Sequence, residues 1–227
     1  MTDRDALKRL AAARAVEEVR DGMAVGLGSG STAEIAVALL AARRLRIVGV
    51  ATSERTAGLA RRLGIALAEL DDHPVLDLAI DGADQVERGS LDLVKGLGGA
   101  LLREKIVASA ARRMIVVVDD SKLVDRLGDR TLLPVEIVAY GGRSTLARLE
   151  AAGLRPVLRS NAGKPFVTDG GNLIADCAVG PIDHARALEA RLQATVGVIE
   201  TGLFLGMASR VIVAGAGGVE AFDRCAR

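Results

Sequence analysis

The chain has 227 residues, enough for one large domain or for one medium domain with a small partner. Half of the residues are hydrophobic and 26% are charged, which is the composition of a folded globular protein and not of a disordered one. The net charge of +1 gives no general attraction to nucleic acid or to an anionic membrane. With only 2% aromatic residues, the chain does not resemble a protein that stacks single-stranded bases.

The scarce residue types narrow the location and the chemistry. Two cysteines, Cys177 and Cys225, cannot build a disulfide-rich scaffold or a four-thiolate zinc site, and we expect both to be inert. No apolar signal segment opens the sequence, and no apolar run approaches the roughly 20 residues of a membrane span, so we expect a cytoplasmic protein. His73 and His184 stand beside neither a nucleophile nor a second metal ligand. The base of an acid–base enzyme would therefore be a carboxylate or a lysine.

Amphipathic helices alternate with short apolar strands over the first half of the chain. The pattern predicts helices over 3–20, 31–42, 53–63 and 100–111, and strands over 23–26, 46–51, 76–80 and 114–118. Strands that alternate with helices form a parallel sheet with both faces covered. We therefore predict an α/β fold with a Rossmann-like, mostly parallel sheet and helices on both faces.

The order of elements changes after Pro134. Strands are predicted over 135–138, 154–159, 173–178 and 196–200, with helices over 144–152 and 183–193 and a turn-rich connection over 160–172. This β-α-β-β-α-β order is that of the ferredoxin-like split unit. A last apolar strand, 210–214, is expected to return to the first sheet. We predict a catalytic domain of residues 1–130 and 205–227, and a small inserted ferredoxin-like α+β domain of residues 131–204.

A segment rich in glycine and hydroxyls, Gly28-Ser29-Gly30-Ser31-Thr32, lies between the first strand and the second helix. Glycines allow a tight turn that approaches an anion closely, and hydroxyls with helix-start N–H groups can bind phosphate. The segment is not a Walker A loop, since no lysine precedes Ser31-Thr32, and its third glycine comes one residue too early for the dinucleotide fingerprint. The alternative is an ordinary glycine-rich turn in which Ser31 or Thr32 caps the helix.

Three further polar loops are predicted at the ends of strands. Asp81-Gly82-Ala83-Asp84 places two carboxylates on one turn, where one could donate and the other accept a proton, or where both could serve only as turn and capping residues. Lys95-Gly96-Leu97-Gly98-Gly99 precedes a helix that carries Glu104, either a base or a complement to the helix dipole. Asp119-Asp120-Ser121-Lys122 ends in a lysine that could close the site or bind phosphate, or that could be only a solvated loop residue. All four loops are expected along one edge of one sheet.

In combination these motifs resemble type A ribose-5-phosphate isomerase. The residues that carry the resemblance are Gly28-Ser29-Gly30-Ser31-Thr32, Thr52-Ser53, Asp81-Gly82-Ala83-Asp84, the Lys95 loop with Arg103-Glu104-Lys105, and Ser121-Lys122. Their order and spacing match across nearly the whole chain. Each motif is unspecific by itself, and the combination is highly specific.

The resemblance implies interconversion of ribose 5-phosphate and ribulose 5-phosphate without metal or cofactor, in a homodimer or a tetramer of dimers. It implies that Glu104 moves a proton between C1 and C2, while Asp81, Asp84 and Lys95 handle the sugar hydroxyls, the carbonyl and ring opening. The substrate-binding residues that it implies are Ser29, Gly30, Ser31, Thr32, Asp81, Gly82, Ala83, Asp84, Lys95, Gly96, Leu97, Gly98 and Lys122. Two positions depart from the family pattern: Ser29 stands where threonine is common, and Leu97 where glycine or arginine often occurs.

The sequence is also compatible with rival functions. An amino-sugar phosphate deaminase of the same broad fold group would be expected to use a well-placed histidine, and a coenzyme A transferase would use a glutamate nucleophile. A sugar-phosphate sensor that does no chemistry usually has a DNA-binding segment, for which the helix of residues 1–20 is too short. Turnover of ribose 5-phosphate would favour the isomerase, whereas binding without turnover would favour the sensor.

Overall fold

The structure is a computed structural model of the chain and describes residues 3–224. Within them the helices are α1 (Asp3–Val16), α2 (Ser31–Ala42), α3 (Glu54–Arg62), α4 (Leu101–Ala110), α5 (Gly142–Ala151) and α6 (Ala185–Gln193). The strands are β1 (Ala24–Leu27), β2 (Val48–Ala51), β3 (Ala66–Leu67), β4 (Leu78–Asp81), β5 (Gln85–Glu87), β6 (Leu93–Val94), β7 (Met114–Asp119), β8 (Leu123–Val124), β9 (Leu133–Ile137), β10 (Arg155–Leu158), β11 (Ser160–Asn161), β12 (Lys164–Pro165), β13 (Leu173–Ala178), β14 (Val198–Thr201), β15 (Leu203–Phe204), β16 (Arg210–Gly215) and β17 (Gly218–Asp223). A 3₁₀ turn, Asp120–Lys122, follows β7.

Contacts divide the described chain into two units. The first unit comprises residues 3–83, 103–123 and 206–224, and the second comprises residues 84–102 and 124–205. The domain boundaries predicted from sequence differ from this division mainly in leaving residues 84–102 in the catalytic domain. These residues carry β5 and β6, which pair with each other, while β6 also pairs with β15. Strands of two or three residues have no visible hydrophobic period, so the sequence pattern gives no sign of them.

The first unit is built on a seven-stranded sheet in the order β17-β16-β7-β4-β1-β2-β3. Every neighbouring pair from β16 to β3 is parallel, and β17 joins the edge antiparallel to β16. The predicted mostly parallel sheet and the predicted return strand are therefore confirmed. Ala216 and Gly217 form the turn of the β16–β17 hairpin.

Helices cover both faces of this sheet, as the contacts of successive β1 residues show. Val25 and Leu27 belong to the core cluster that contains buried residues of α1, α2 and α3. Gly26 faces the other way, where an added Cβ would lie 2.6 Å from Cγ1 of Val107 on α4. The helix predicted over 3–20 ends at Val16, and the chain then turns at Gly22, which has a φ of 84°.

The second unit contains the predicted β-α-β-β-α-β order as β9, α5, β10, β13, α6 and β14. These strands form an antiparallel sheet in the order β10-β13-β9-β14, which is the ferredoxin-like arrangement and confirms that prediction. Alternate residues of β9 and β13 face a core closed by Leu149 of α5 and Leu192 of α6. The turn-rich connection between β10 and β13 contains the short β11–β12 hairpin.

A separate small sheet in the order β15-β6-β5-β8 carries the Lys95 loop, which directly follows β6. The expectation that all four polar loops share the edge of one sheet is therefore wrong for this loop. None of the helices described has the length and apolar character needed to cross a bilayer.

Candidate active site

Polar loops of the first unit leave neighbouring strands of the seven-stranded sheet at the same edge. Leu27 at the end of β1 is paired with Ala51 at the end of β2 and with Ile80 near the end of β4. Asp81 in turn is paired with Val116 of β7. Because these strands are parallel, their carboxyl ends bring together the loops that begin at residues 28, 52, 82 and 120. This is the edge at which open α/β sheets bind ligands.

A cluster of hydroxyl groups braces the first loop. The Oγ atom of Ser29 lies 2.6 Å from Oγ1 of Thr52 and 2.9 Å from Oγ of Ser53. Ser53 is the N-cap of α3 and accepts a hydrogen bond from the backbone N–H of Thr56 at 3.1 Å. The hydroxyl of Thr56 donates to the carbonyl oxygen of Gly28 at 3.0 Å. The network fixes the course of the loop. Thr56 belongs to this network, although no local motif singles it out in the sequence.

The start of α2 does not have the side-chain cap considered as the alternative for this loop. The N-cap is Gly30, with a φ of 86°, and glycine has no side chain with which to cap the first-turn N–H groups. The interpretation of Ser31 or Thr32 as the cap is therefore wrong. Thr32 lies beside the next loop, since an added Cβ on Gly82 would be 3.7 Å from the Cβ of Thr32.

Asp81 is 2% exposed and is held by backbone donors. One of its oxygens, Oδ1, accepts hydrogen bonds from the N–H of Ser29 at 3.1 Å and from the N–H of Gly82 at 2.7 Å. Gly28 must be glycine here, because an added Cβ would lie 2.3 Å from Cγ of Asp81. The carboxylate and the first loop are thus locked together.

Glu104 lies in the first turn of α4 and is 5% exposed. It lines one small cavity with Gly28, Thr52 and Asp81, all of them residues of the first unit. The preceding residue, Arg103, donates to Glu54 at the start of α3 at 2.9 Å. The structure thus brings two buried carboxylates to one cavity, beside the hydroxyl cluster.

Two lysines of the first unit stand on the polar loops or contact them. Lys122 is the last residue of the 3₁₀ turn after β7 and is half-buried. The N-cap of this turn, Asp119, accepts a hydrogen bond from the N–H of Ser121 at 3.1 Å. Lys8 of α1 donates to the hydroxyl of Ser31 at 3.1 Å. Sequence reasoning missed Lys8, although its being one of five lysines in a chain with 25 arginines was a usable signal.

The predicted residues Asp84, Lys95, Gly96, Leu97 and Gly98 belong to the second unit, which begins at Asp84. The carboxylate of Asp84 accepts a hydrogen bond from the N–H of Leu97 at 2.9 Å. Lys95 is 2% exposed, and its ammonium lies 5.6 Å from the centre of the Phe204 ring. The next four residues form a turn, closed by the hydrogen bond from the N–H of Gly99 to the carbonyl of Gly96 at 3.0 Å.

Leu97, one of the two departures from the family pattern, contributes its backbone to this turn, and the residue is 44% exposed. A leucine is therefore compatible with the position. Gly98 in the same turn is exposed, and Ala83, in the loop after β4, is half-buried.

The cysteine and histidine predictions concern residues that are not part of the polar loops. Cys177 is buried in the core of the second unit, and burial, together with the charge of Asp176, raises the pKa of its thiol to about 12. Such a thiol is inert at neutral pH. Cys225 lies outside the described residues. His184 is the exposed N-cap of α6, and His73 follows a turn before β4.

Known proteins are similar to this chain in sequence and in fold. The sequence model of the family described as ribose 5-phosphate isomerase A (phosphoriboisomerase A) matches residues 48–218, which is more than half of the chain. The chain belongs to the ribose 5-phosphate isomerase A family. The resemblance drawn from the motifs is thereby confirmed, and so is the prediction that the chain is an isomerase.

Individual relatives of the ribose 5-phosphate isomerase A family match nearly the full length. The curated ribose-5-phosphate isomerase A of Synechococcus sp. (strain JA-3-3Ab) is 53% identical over 225 residues, covering 97% of this chain and 98% of the relative. The structure of ribose 5-phosphate isomerase A from Methanocaldococcus jannaschii has a TM-score of 0.92 and 38% identity, covering 97% of this chain and 99% of that one. A D-ribose-5-phosphate isomerase solved in complex with phospho-erythronic acid has a TM-score of 0.94 and 36% identity, covering 98% of this chain and all of that one.

Proposed function

We propose that the chain interconverts D-ribose 5-phosphate and D-ribulose 5-phosphate by proton transfer through an enediolate, in the non-oxidative pentose phosphate pathway. The observation that carries the proposal is the pair of buried carboxylates, Asp81 and Glu104, at one cavity beside the first loop. Family membership supports the substrate and the reaction. It also favours the isomerase over the deaminase, transferase and sensor.

Glu104 is the base in this proposal. In the open-chain aldose it takes the proton from C2, and the C2–H electrons form the C1=C2 bond while the carbonyl oxygen at C1 gains charge. The same carboxyl then returns the proton to C1, and the hydroxyl proton on O2 moves to O1 as C2 becomes the carbonyl carbon. One positioned carboxylate is enough for this chemistry, and no redox cofactor or metal enters the balance.

The other charged residues stabilise and open the sugar. Asp81, fixed by two backbone N–H groups, is oriented to accept from a sugar hydroxyl. Lys95 supplies an ammonium that can stabilise the charge developing on the carbonyl oxygen, and Asp84 can exchange a proton with a sugar hydroxyl during ring opening. Ala83, Gly96, Leu97 and Gly98 supply backbone contacts in this proposal.

The phosphate is assigned to the first loop, Gly28–Thr32. Hydroxyls of Ser31 and Thr32 and the first-turn N–H groups of α2 are the donors, with Lys8 and Lys122 as the nearby cations. Ser29 acts mainly through the hydroxyl cluster that holds the loop. Because the phosphate does not react, this contact supplies orientation for the carbons that do.

The assay for this function is ketose formation from ribose 5-phosphate by the purified protein, with a chelator present and in deuterium oxide. Chelator-insensitive turnover with deuterium appearing at C1 of ribulose 5-phosphate is the expected result. Turnover that stops on chelation, or that incorporates no deuterium after many turnovers, would contradict metal-free proton transfer. Binding of ribose 5-phosphate without turnover would favour the sensor.

The proposed oligomeric state is a homodimer or a tetramer of dimers. The proposed location is the cytoplasm, with no nucleic-acid or membrane partner. All six residues of the edge strand β17 are exposed, among them the apolar Val219 and Phe222. An exposed antiparallel edge of this kind suits pairing with another chain. Light scattering of the purified protein measures the mass, and a monomer would refute this part of the proposal.

A further inference from the structure

An arginine from the β10–β13 connection donates hydrogen bonds to the turn that follows Lys95. Arg159 comes directly after β10, and its Nη1 atom donates to the carbonyl oxygens of Gly96 and Leu97, at 3.0 Å each. The other side of the guanidinium binds Asp176 of β13 through Nε at 2.8 Å and Nη2 at 2.5 Å. The side chains of Arg159 and Asp176 are only 13% and 15% exposed. All of these residues belong to the second unit.

An aromatic ring contacts both this arginine and the end of the turn. The guanidinium of Arg159 lies 5.7 Å from the centre of the Phe166 ring, whose backbone N–H donates to the carbonyl of Arg159 at 2.9 Å. The same ring lies against Gly99, where an added Cβ would be 2.4 Å from Cζ of Phe166. Arg159 and Phe166 therefore hold the beginning and the end of the Gly96–Gly99 turn. We call this group, with Asp176, the Arg159 clamp.

The clamp is linked to Asp84 through a single residue. The carbonyl of Leu97 accepts from Arg159, while the N–H of Leu97 donates to the carboxylate of Asp84 at 2.9 Å. A shift of the turn would move this N–H, and with it the orientation of Asp84. The turn contains three glycines, two of them at positive φ, so its own backbone preference is weak and it depends on outside contacts for a single conformation.

We propose that Arg159 is a positioning residue for the isomerase reaction, fixing the Gly96–Leu97 peptides so that Asp84 and Lys95 are held in their working orientation. The inference rests on the proposed roles of Asp84 and Lys95. Arginine suits this task because its planar fork donates along two edges at once, to the carbonyls on one side and to a carboxylate on the other. A lysine has one ammonium on a flexible stem and cannot reproduce both sets of bonds with the same geometry.

The test compares Arg159→Gln and Arg159→Lys with Arg155→Gln, a matched control on the exposed start of β10. A displacement of about 1 Å at a reacting group can cost about 100-fold in rate, so we expect kcat of Arg159→Gln to fall by about 10- to 100-fold. KM for ribose 5-phosphate should stay within about threefold, because the phosphate is bound by the first loop. Arg159→Lys should lie between Arg159→Gln and the wild type, and Arg155→Gln should equal the wild type.

Two further readouts separate positioning from a general loss of stability. Hydrogen exchange at the Leu97 amide should be at least about tenfold faster in Arg159→Gln, with exchange at the buried amide of Val135 unchanged. The dissociation constant for phospho-erythronic acid should rise with the loss of kcat/KM, since a sugar acid presents its charge where the enediolate does. An unfolded fraction would lower the number of binding sites instead and leave that constant unchanged.

The proposal would be overturned if Arg159→Gln kept more than half of the wild-type kcat, or if exchange at Leu97 did not change. Should Arg159→Gln fail to fold, Arg159→Lys and Asp176→Asn carry the same comparison with side chains of nearly unchanged size. A wild-type protein without turnover would count against the proposed function alone. In that case exchange at Leu97 still decides whether Arg159 holds the turn.

Discussion

Replacing Gly28 by alanine should damage the site through a clash with Asp81. The added methyl would lie 2.3 Å from Cγ and Oδ1 of Asp81, about 1.1 Å short of the 3.4 Å at which ordinary contact begins. The neighbouring Cα of Asp81, at 2.6 Å, blocks escape in that direction. Either the carboxylate or the loop must therefore move by about 1 Å, which costs about 100-fold in rate, or about 2.7 kcal/mol of transition-state stabilisation. Overpacking adds a destabilisation of about 1–3 kcal/mol.

The assay is kcat/KM for ribose 5-phosphate together with the urea midpoint of unfolding. Gly58→Ala is the matched control, because Gly58 lies within α3 and its added methyl would meet only the Arg62 side chain, at 3.5 Å. That variant should keep full activity and gain up to about 1 kcal/mol of stability from helix propensity. A folded Gly28→Ala variant with more than a third of the wild-type kcat/KM would refute the argument that Gly28 and Asp81 are locked together.

Three further predictions concern charged and nucleophilic groups. Burial raises the pKa of Glu18, but hydrogen bonds from Arg113 and Arg210 outweigh this effect and hold the pKa below 4.5. Glu18→Gln should therefore destabilise the protein at pH 7, and the loss, measured by urea unfolding, should vanish as the pH falls through the lowered pKa. A loss of stability that does not change with pH would contradict this account. Lys8→Met should raise KM for ribose 5-phosphate by about tenfold with kcat nearly unchanged, because a charge-assisted contact to the phosphate loop is lost. An unchanged KM would show that Lys8 is not part of the phosphate site. Cys177 should stay unmodified by iodoacetamide at pH 8 in the native protein, as read by peptide mass spectrometry, and rapid labelling would contradict its raised pKa.

Much of the fold could be predicted because its long elements have clear periods. The helix predicted over 31–42 and the strand predicted over 173–178 have the predicted ends. Elements without a hydrophobic period could not be predicted. The short strands β5, β6, β8 and β15 are too brief to alternate, and β17 is exposed along its whole length, so neither set shows a buried face in the sequence.

The site divides in the same way between local and distant signals. Glycine-rich turns and carboxylates at strand ends are visible in the sequence, because each motif lies within a few consecutive residues. Arg159 reaches carbonyl oxygens more than 60 positions earlier in the chain, and Thr56 reaches Gly28 across 28 positions. Neither contact leaves a local pattern, and only the folded chain reveals it. The prediction that the Lys95 loop lies at the edge of the large sheet is wrong for the same reason, since β6 pairs with the distant β15.

The measurement that tests the central claim most directly is turnover and ligand binding by Glu104→Gln. A positioned base contributes about 10²- to 10⁴-fold, so the variant should lose at least about 99% of the wild-type kcat while binding phospho-erythronic acid at full stoichiometry. Glu150→Gln, a change on the exposed face of α5, serves as the control and should retain full activity. A Glu104→Gln variant that keeps more than about a tenth of the wild-type rate would contradict the assignment of Glu104 as the group that moves the proton.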